Sequence, residues 1–158
     1  MGLGAAIRLF YLLRIDFPLN DGGLFYIMVR DLLSNHFRLP SFTSYNHLDI
    51  PFAYPPLPFY LAGILETLFK LDGLAVLRIL ARAISILNIP AFFLLARTAL
   101  ASIPQVLHAM LAFAILKPAY EWQIMGGGLT RAPGFLFSIL ALWQAWQILK
   151  TDRKKAIL

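Results

Sequence analysis

One carboxylate in this chain has the surroundings that chemistry at a membrane surface would require. Asp21 lies in the stretch Pro18-Leu19-Asn20-Asp21-Gly22-Gly23, after an apolar segment and before an amphipathic one. In so apolar a chain a charge of this kind is costly, which makes it a functional candidate. As a general base, Asp21 would take a proton from an acceptor hydroxyl. The alternative is that Asp21 only caps the next helix; the two roles are compatible, because a cap fixes the direction of the carboxylate.

A second chemical feature is a run of three glycines that ends at Gly128 and is followed by Thr130 and Arg131. Glycines allow the backbone to approach a ligand closely, and the N-terminus of a helix attracts anions. The Arg131 guanidinium can bind a phosphate through two hydrogen bonds. The pattern therefore predicts an anion site formed by Gly127, Gly128 and Arg131. The alternative is a flexible turn from which Arg131 reaches lipid headgroups.

Further side chains are candidates for substrate contacts. Glu121 is a candidate second acid, and Tyr54, Tyr60 and Trp122 are candidates for stacking on a sugar or lining a lipid groove. The alternatives are a solvated glutamate and an ordinary aromatic residue at a membrane interface. The three histidines are scattered and predict no metal cluster. Asp31 and Asp49 are the carboxylates that could join Asp21 around a divalent metal ion, so metal dependence stays open.

The composition of the chain indicates a lipid environment. Of 158 residues, 59% are hydrophobic and 14% are charged, whereas ordinary soluble domains are about 45–50% apolar and about 25% charged. A globule of this size has too little interior for so many apolar residues. The net charge of +6 is carried at the ends of apolar runs and in a cluster over residues 150–155. That arrangement favours anionic lipid headgroups as partners and argues against nucleic acid.

The hydropathy pattern predicts an all-α fold, a fragment of a polytopic transmembrane helical bundle. Residues 1–15 are interpreted as the end of a first span, and residues 16–77 as an extracytoplasmic loop. Three spanning helices are expected over 79–97, 103–119 and 132–149, since about 20 apolar residues cross a bilayer.

Two interfacial helices are expected inside the loop. The first runs from about residue 21 to 35, where apolar residues recur at helical spacing. The second runs from about 59 to 71, and its dozen or so apolar residues are too few to cross the hydrocarbon core.

The basic cluster over residues 150–155 determines the expected orientation, because cytoplasmic flanks of spanning helices are rich in Lys and Arg. Counting back over three spans places the glycine-rich loop outside and residues 97–102 inside. The acidic loop over 16–77 then also lies outside. The expected location is therefore the plasma (inner) membrane, with the candidate site on its extracytoplasmic face.

Three motifs, in this order, resemble the GT-C superfamily of polytopic glycosyltransferases. They are Asn20-Asp21-Gly22-Gly23-Leu24-Phe25-Tyr26, Tyr54-Pro55-Pro56-Leu57-Pro58-Phe59-Tyr60, and Gly126-Gly127-Gly128-Leu129-Thr130-Arg131-Ala132-Pro133-Gly134. The superfamily includes protein O-mannosyltransferases, aminoarabinose transferases of lipid A and rhizobial-type lipopolysaccharide glycosyltransferases. Its members are several times longer, so the resemblance implies an N-terminal fragment.

The resemblance also implies an activity. Such enzymes move a sugar from a polyprenyl-phosphate donor to an acceptor on the extracytoplasmic face, and their first-loop motif is Asp-Glu. By resemblance Asp21 is the catalytic base or a metal-linked carboxylate, while Gly22 stands where the family has Glu. The expected partners are the lipid bilayer and a lipid-linked sugar donor. These residues alone are expected to be inactive, and the oligomeric state, the sugar and the acceptor stay open.

The alternative function is a non-catalytic polytopic membrane protein, such as a transporter or an assembly subunit. A transporter should carry polar groups near the middle of the membrane. In this sequence the polar residues concentrate in the expected outside loops. That distribution favours the enzyme.

Overall fold

The computed structural model describes residues 2–14, 20–125 and 128–150, and in the first of these segments it describes side chains for residues 2–10. The described residues are mostly helical, with seven α-helices, which confirms the all-α expectation. In chain order the helices are α1 (Gly2–Arg14), α2 (Gly22–Ser34), α3 (Leu57–Phe69), α4 (Gly73–Ala99), α5 (Ile103–Ile115), α6 (Glu121–Ile124) and α7 (Arg131–Lys150). Two short 3-10 helices, Tyr45–His47 and Lys117–Ala119, and an antiparallel pair of two-residue strands, β1 (Phe42–Thr43) and β2 (Ile50–Pro51), are also present.

Helix α2 begins directly after Asp21, as the helical spacing of Phe25 and Met28 predicts. Both of these side chains are buried. The ring of Phe25 packs edge-on against Tyr54, with 4.9 Å between centroids, and against Phe59 of α3 at 5.6 Å. Burying one such side chain contributes about 1.5–3 kcal/mol. This aromatic cluster therefore fixes α2, and with it the position of Asp21.

The irregular segment between α2 and α3 is anchored by Asp31. Its carboxylate accepts hydrogen bonds from Thr43 Oγ1 at 2.8 Å, from the Ser44 N–H at 2.8 Å and from Ser44 Oγ at 2.6 Å. A second connection is the ion pair between Arg30 Nη1 and Glu66 Oε1 at 2.5 Å, which joins α2 to α3. The two helices and the segment between them are therefore held as one unit.

Helix α4 is longer than the span predicted over 79–97 and runs without a break from Gly73 to Ala99. Its start is set by Asp72, whose Oδ2 accepts a hydrogen bond from the N–H of Ala75 at 2.9 Å. The loop predicted over 16–77 therefore ends at Asp72, because this cap begins the helix earlier than the apolar run indicates.

Helix α5 is shorter than predicted. The sequence favoured one helix over 103–119, but α5 ends at Ile115 after 13 residues, and a 3-10 turn and α6 follow. Pro118 gives the physical reason, since proline has no N–H to donate and its ring clashes with the carbonyl one turn earlier. Thirteen residues rise about 20 Å, which is less than the roughly 30 Å of a hydrocarbon core. The expectation of a continuous spanning helix at this place is wrong.

Two of the described helices, α4 and α7, are long and apolar enough to cross a membrane. The 27 residues of α4 have a mean hydropathy of 2.0 over their most apolar window, and the 20 residues of α7 reach 1.3. At 1.5 Å per residue these helices are about 40 and 30 Å long. Helix α7 spans almost the range predicted for it, 132–149.

Helices α4 and α7 lie side by side and run in the same direction. At their C-terminal ends, Lys150 Nζ donates to the carbonyl oxygen of Thr98 at 2.7 Å. At their N-terminal ends, Leu129, two residues before α7, is buried in one cluster with Val76 and Leu77 of α4. The segment that joins them, with α5 and α6, must therefore return along the length of the bundle.

The parallel arrangement gives the molecule two distinct ends. The loop end contains the α2–α3 unit and the start of α7 at Arg131, and the basic end contains Thr98 and Lys150. The count of spans in the sequence predicted the same grouping: the acidic and glycine-rich loops at one end, and residues 97–102 and the basic cluster at the other. Of the basic cluster over 150–155, only Lys150 lies inside the described residues.

Helix α1 packs antiparallel to α4. Gly4 of α1 lies against Ile89 of α4. One turn further along α1, Arg8 lies against Ser85, which is one turn before Ile89 in α4. A Cβ at Gly4 would stand 2.8 Å from the Cβ of Ala114 and 2.9 Å from Ile89 Cδ1, so α1, α4 and α5 meet closely at this glycine.

Candidate functional site

The loop end brings together two of the residues that the sequence singled out. Arg131 Nη2 donates to Asp21 Oδ2 at 3.1 Å, across 110 positions of sequence. The Arg131 side chain is 42% exposed and that of Asp21 is 37% exposed. The candidate base and the candidate anion-binding cation are therefore in direct contact, and solvent or a ligand can reach both.

Trp122 forms the third part of this cluster. The guanidinium carbon of Arg131 lies over the indole ring, 5.4 Å from its centroid, at the distance of a cation–π contact. The Trp122 side chain is largely exposed. Arg131 is thus positioned by a carboxylate and an aromatic face, neither of which closes it off from solvent. We name Asp21, Trp122 and Arg131 the loop-end triad.

The structure bears on one of the two roles considered for the Asp21 side chain, the role of a helix cap. Asp21 occupies the N-cap position of α2, but its carboxylate accepts no capping hydrogen bond. Only the backbone carbonyl of Asp21 takes part in the helix, where it accepts a hydrogen bond from the Phe25 N–H at 2.9 Å. The direction of the carboxylate is therefore set by Arg131 and not by the helix that follows.

Gly128 has a structural role that differs from the predicted one. Its φ of +52° lies in the left-handed region, and a Cβ there would fall 1.3 Å from the carbonyl oxygen of Gln123. The Gly128 N–H already donates to the Met125 carbonyl at 2.8 Å. The expectation that this N–H binds an anion is thus not met, because a tight turn uses it. Gly127 lies outside the described residues.

The remaining predicted contacts have partners other than the residues of the loop-end triad. Glu121 forms an ion pair with Lys117, one turn earlier, at 2.9 Å. Tyr54 is half-buried and packs against Phe25 in the aromatic cluster, so it supports α2.

The described part of the chain contains no preformed set of metal ligands. No group of three or more His, Asp or Glu side chains comes together there. Asp31, which the sequence offered as a partner of Asp21, is occupied by Thr43 and Ser44.

Between the helices lies a group of buried polar side chains that sequence reasoning did not recognise as a group, although it expected Asn88 to lie inside its helix and to need a partner. Arg8 of α1 and three residues of α4, Arg82, Ser85 and Asn88, are buried, as is Gln123 of α6. Asn88 Nδ2 donates to Gln123 Oε1 at 2.6 Å, which supplies the partner that an amide inside an apolar helix needs. The three polar residues of α4 follow one another at intervals of three, and this helical spacing is the signal that was available in the sequence.

Comparisons were made with models of known protein families, with curated proteins and with solved structures, and none of them matches this chain.

Proposed function

We propose that this chain is part of an integral membrane glycosyltransferase that moves a sugar from a polyprenyl-phosphate donor to an acceptor on the extracytoplasmic face. The observation that carries the proposal is the 3.1 Å contact between Asp21 and Arg131. Asp21 comes from the motif that suggested a base, and Arg131 comes from the motif that suggested a phosphate site.

The chemistry needs two groups at one place. A base must take the proton of the acceptor hydroxyl as its oxygen attacks the anomeric carbon, and a cation must stabilise the phosphate oxygen that leaves. Asp21 serves as the base. Arg131 serves as the cation, because its planar guanidinium fits a phosphate through two parallel hydrogen bonds. Donor binding then competes with Asp21 for Arg131 and releases the carboxylate to act on the acceptor.

Trp122 completes the proposed site as a platform. Its exposed indole lies beside the guanidinium, where a sugar ring or the first isoprene unit of the donor can stack on it. Stacking against a rigid aromatic ring positions a substrate at little cost in side-chain entropy.

An exposed apolar stripe on α3 supports a position at the membrane surface. Leu57, Leu61, Ile64 and Leu68 follow one another at alternating steps of four and three, and all four are exposed. The opposite face, with Phe59 and Ala62, is buried against the rest of the loop end. A helix that is apolar on its outer face suits the boundary between headgroups and acyl chains.

The test is sugar transfer by the complete protein in membranes, with a polyprenyl-phosphate sugar as donor. Asp21→Asn should insert normally and lose transfer, and Arg131→Gln should do the same. Asp49→Asn is the matched control, because Asp49 is an exposed carboxylate of the same unit that contacts none of the triad. Full transfer by Asp21→Asn removes Asp21 from the mechanism.

A second candidate function gains support from the bundle interior. The argument against a transporter was that the polar residues concentrate in the loops, yet Arg82, Ser85 and Asn88 are buried along α4. Intramembrane polar residues commonly mark a substrate path. Binding of a lipid-linked sugar without transfer, together with uptake of a solute by liposomes that contain the protein, would favour this alternative.

A further inference from the structure

The side chain of Arg8 is the least expected feature of the bundle interior. It comes from α1, is 0% exposed and lies against Ser85, close to the middle of α4. Its guanidinium carbon is 5.4 Å from the ring centroids of both Phe113 and Tyr120. A cation is thus enclosed by two aromatic rings and a helix backbone.

Only one edge of the Arg8 guanidinium forms a hydrogen bond with the described residues. Nη1 donates to the carbonyl oxygen of Ser85, whereas Nε and Nη2 have no hydrogen-bond partner among the residues that the structure describes. The N–H groups of Nε and Nη2 point in the same direction and form the fork with which arginine holds a carboxylate or a phosphate. The unpaired edge of Arg8 therefore has the donor arrangement of an oxyanion site.

Among the residues that the structure describes, no carboxylate forms an ion pair with Arg8, and further unpaired polar atoms lie on the adjacent turns of α4. Arg82, one turn before Ser85, is buried; its Nη1 donates to the Arg78 carbonyl at 2.7 Å, but its Nε has no partner. The hydroxyl of Ser85 and the Oδ1 of Asn88 are also buried and unpaired. Two guanidinium groups in an interior of low dielectric constant are unfavourable without a counter-ion.

We infer that the bundle interior binds an oxyanion, held by the Nε and Nη2 edge of Arg8, with phosphate as the reference ligand. The anion comes either from free phosphate or from the phosphate of a membrane lipid, and both offer the same oxygen atoms to the fork. The hydroxyl of Ser85 supplies a neutral donor beside it. This site is separate from the loop-end triad and does not depend on sugar transfer.

The experiment measures phosphorus and thermal stability in the complete protein purified in detergent. Total phosphorus after extensive delipidation reports a retained lipid phosphate. Titration with sodium phosphate, against sodium chloride at equal ionic strength, reports free phosphate. We expect either phosphorus near one atom per chain or a Tm that rises with phosphate, since a ligand that binds only the folded state stabilises it.

Two variants test the fork itself. Arg8→Lys keeps the charge but has no fork, so the apparent phosphate affinity should fall about tenfold or more. Arg8→Met should lose the response and the bound phosphorus altogether. Arg97→Met is the matched control, because Arg97 is an exposed arginine of α4 and its removal should leave both readouts unchanged.

The wild-type protein alone can overturn the inference, even if the Arg8 variants fail to fold. A preparation that contains no phosphorus and has the same Tm in phosphate and in chloride excludes the site. An equal response in Arg8→Met and the wild type would also exclude it, since it would show that phosphate acts through general salting-out.

Discussion

The ion pair between Asp21 and Arg131 should matter far more for activity than for stability. Both side chains are more than one third exposed, and exposed pairs contribute about 0.2–1 kcal/mol because water and salt screen them. Asp21→Asn should therefore lower the free energy of unfolding by less than about 1 kcal/mol. Loss of a general base, in contrast, lowers the rate of transfer by about 10²–10⁴-fold.

A double-mutant cycle over Asp21→Asn, Arg131→Gln and the combined variant separates these effects. Denaturant unfolding in detergent gives the coupling energy for stability, and initial rates of sugar transfer give the coupling energy for activity. We expect a small coupling energy for stability and a large one for activity, because the proposed mechanism has the two residues act on one transition state. A loss of several kcal/mol of stability with a proportionate loss of transfer would refute the reasoning, since the pair would then be a structural element.

Three further outcomes follow from the geometry. Gly128→Ala should destabilise the turn before α7 by more than about 1–3 kcal/mol, measured by denaturant unfolding, because its φ is +52° and its Cβ would meet the Gln123 carbonyl. Asn88→Ala should cost about 1–3 kcal/mol by the same measurement, since it leaves Oε1 of the buried Gln123 side chain without its donor. Leu68→Asp, at a side chain that is 71% exposed, should weaken binding of the α2–α3 unit to anionic vesicles in a flotation assay.

Each of these outcomes has a control in the same chain. Gly134→Ala should be neutral or stabilising, because a Cβ there meets nothing within 4 Å and alanine favours a helix. Equal losses at Gly128 and Gly134 would contradict the argument for the turn. The double variant of Asn88 and Gln123 should cost less than the sum of the single changes. Additive losses of stability would contradict the pairing of Asn88 with Gln123. Equal flotation of Leu68→Asp and Leu68→Ala would contradict the proposed contact of α3 with lipid.

Local patterns in the sequence predicted the helices well where a start signal and a periodic apolar face coincide. Helix α2 was expected over about 21–35 and spans Gly22–Ser34. The same reasoning failed for α5, because it continued the helix past Pro118 to residue 119, and hydropathy alone does not show that the helix ends at Ile115, ahead of this proline. It also missed the cap that Asp72 provides for α4.

The candidate site was predicted one residue at a time but could not be predicted as an assembly. Asp21 and Arg131 were selected for separate reasons, and no local signal relates positions 110 residues apart. The burial of Arg8 was equally inaccessible, because the sequence shows only that an arginine interrupts the apolar run over residues 1–15 and does not show which side chains enclose it. Its enclosure depends on α4 and α5, which approach α1 only in the folded bundle.

The distance along the chain between Asp21 and Arg131 also has a consequence for biosynthesis. A ribosome that adds roughly 5–20 residues per second needs about 5–20 s to translate the 110 residues that separate them. During that interval the nascent acidic loop is already made while its arginine has not yet been added. The carboxylate of Asp21 can therefore meet this partner only after translation has passed Arg131.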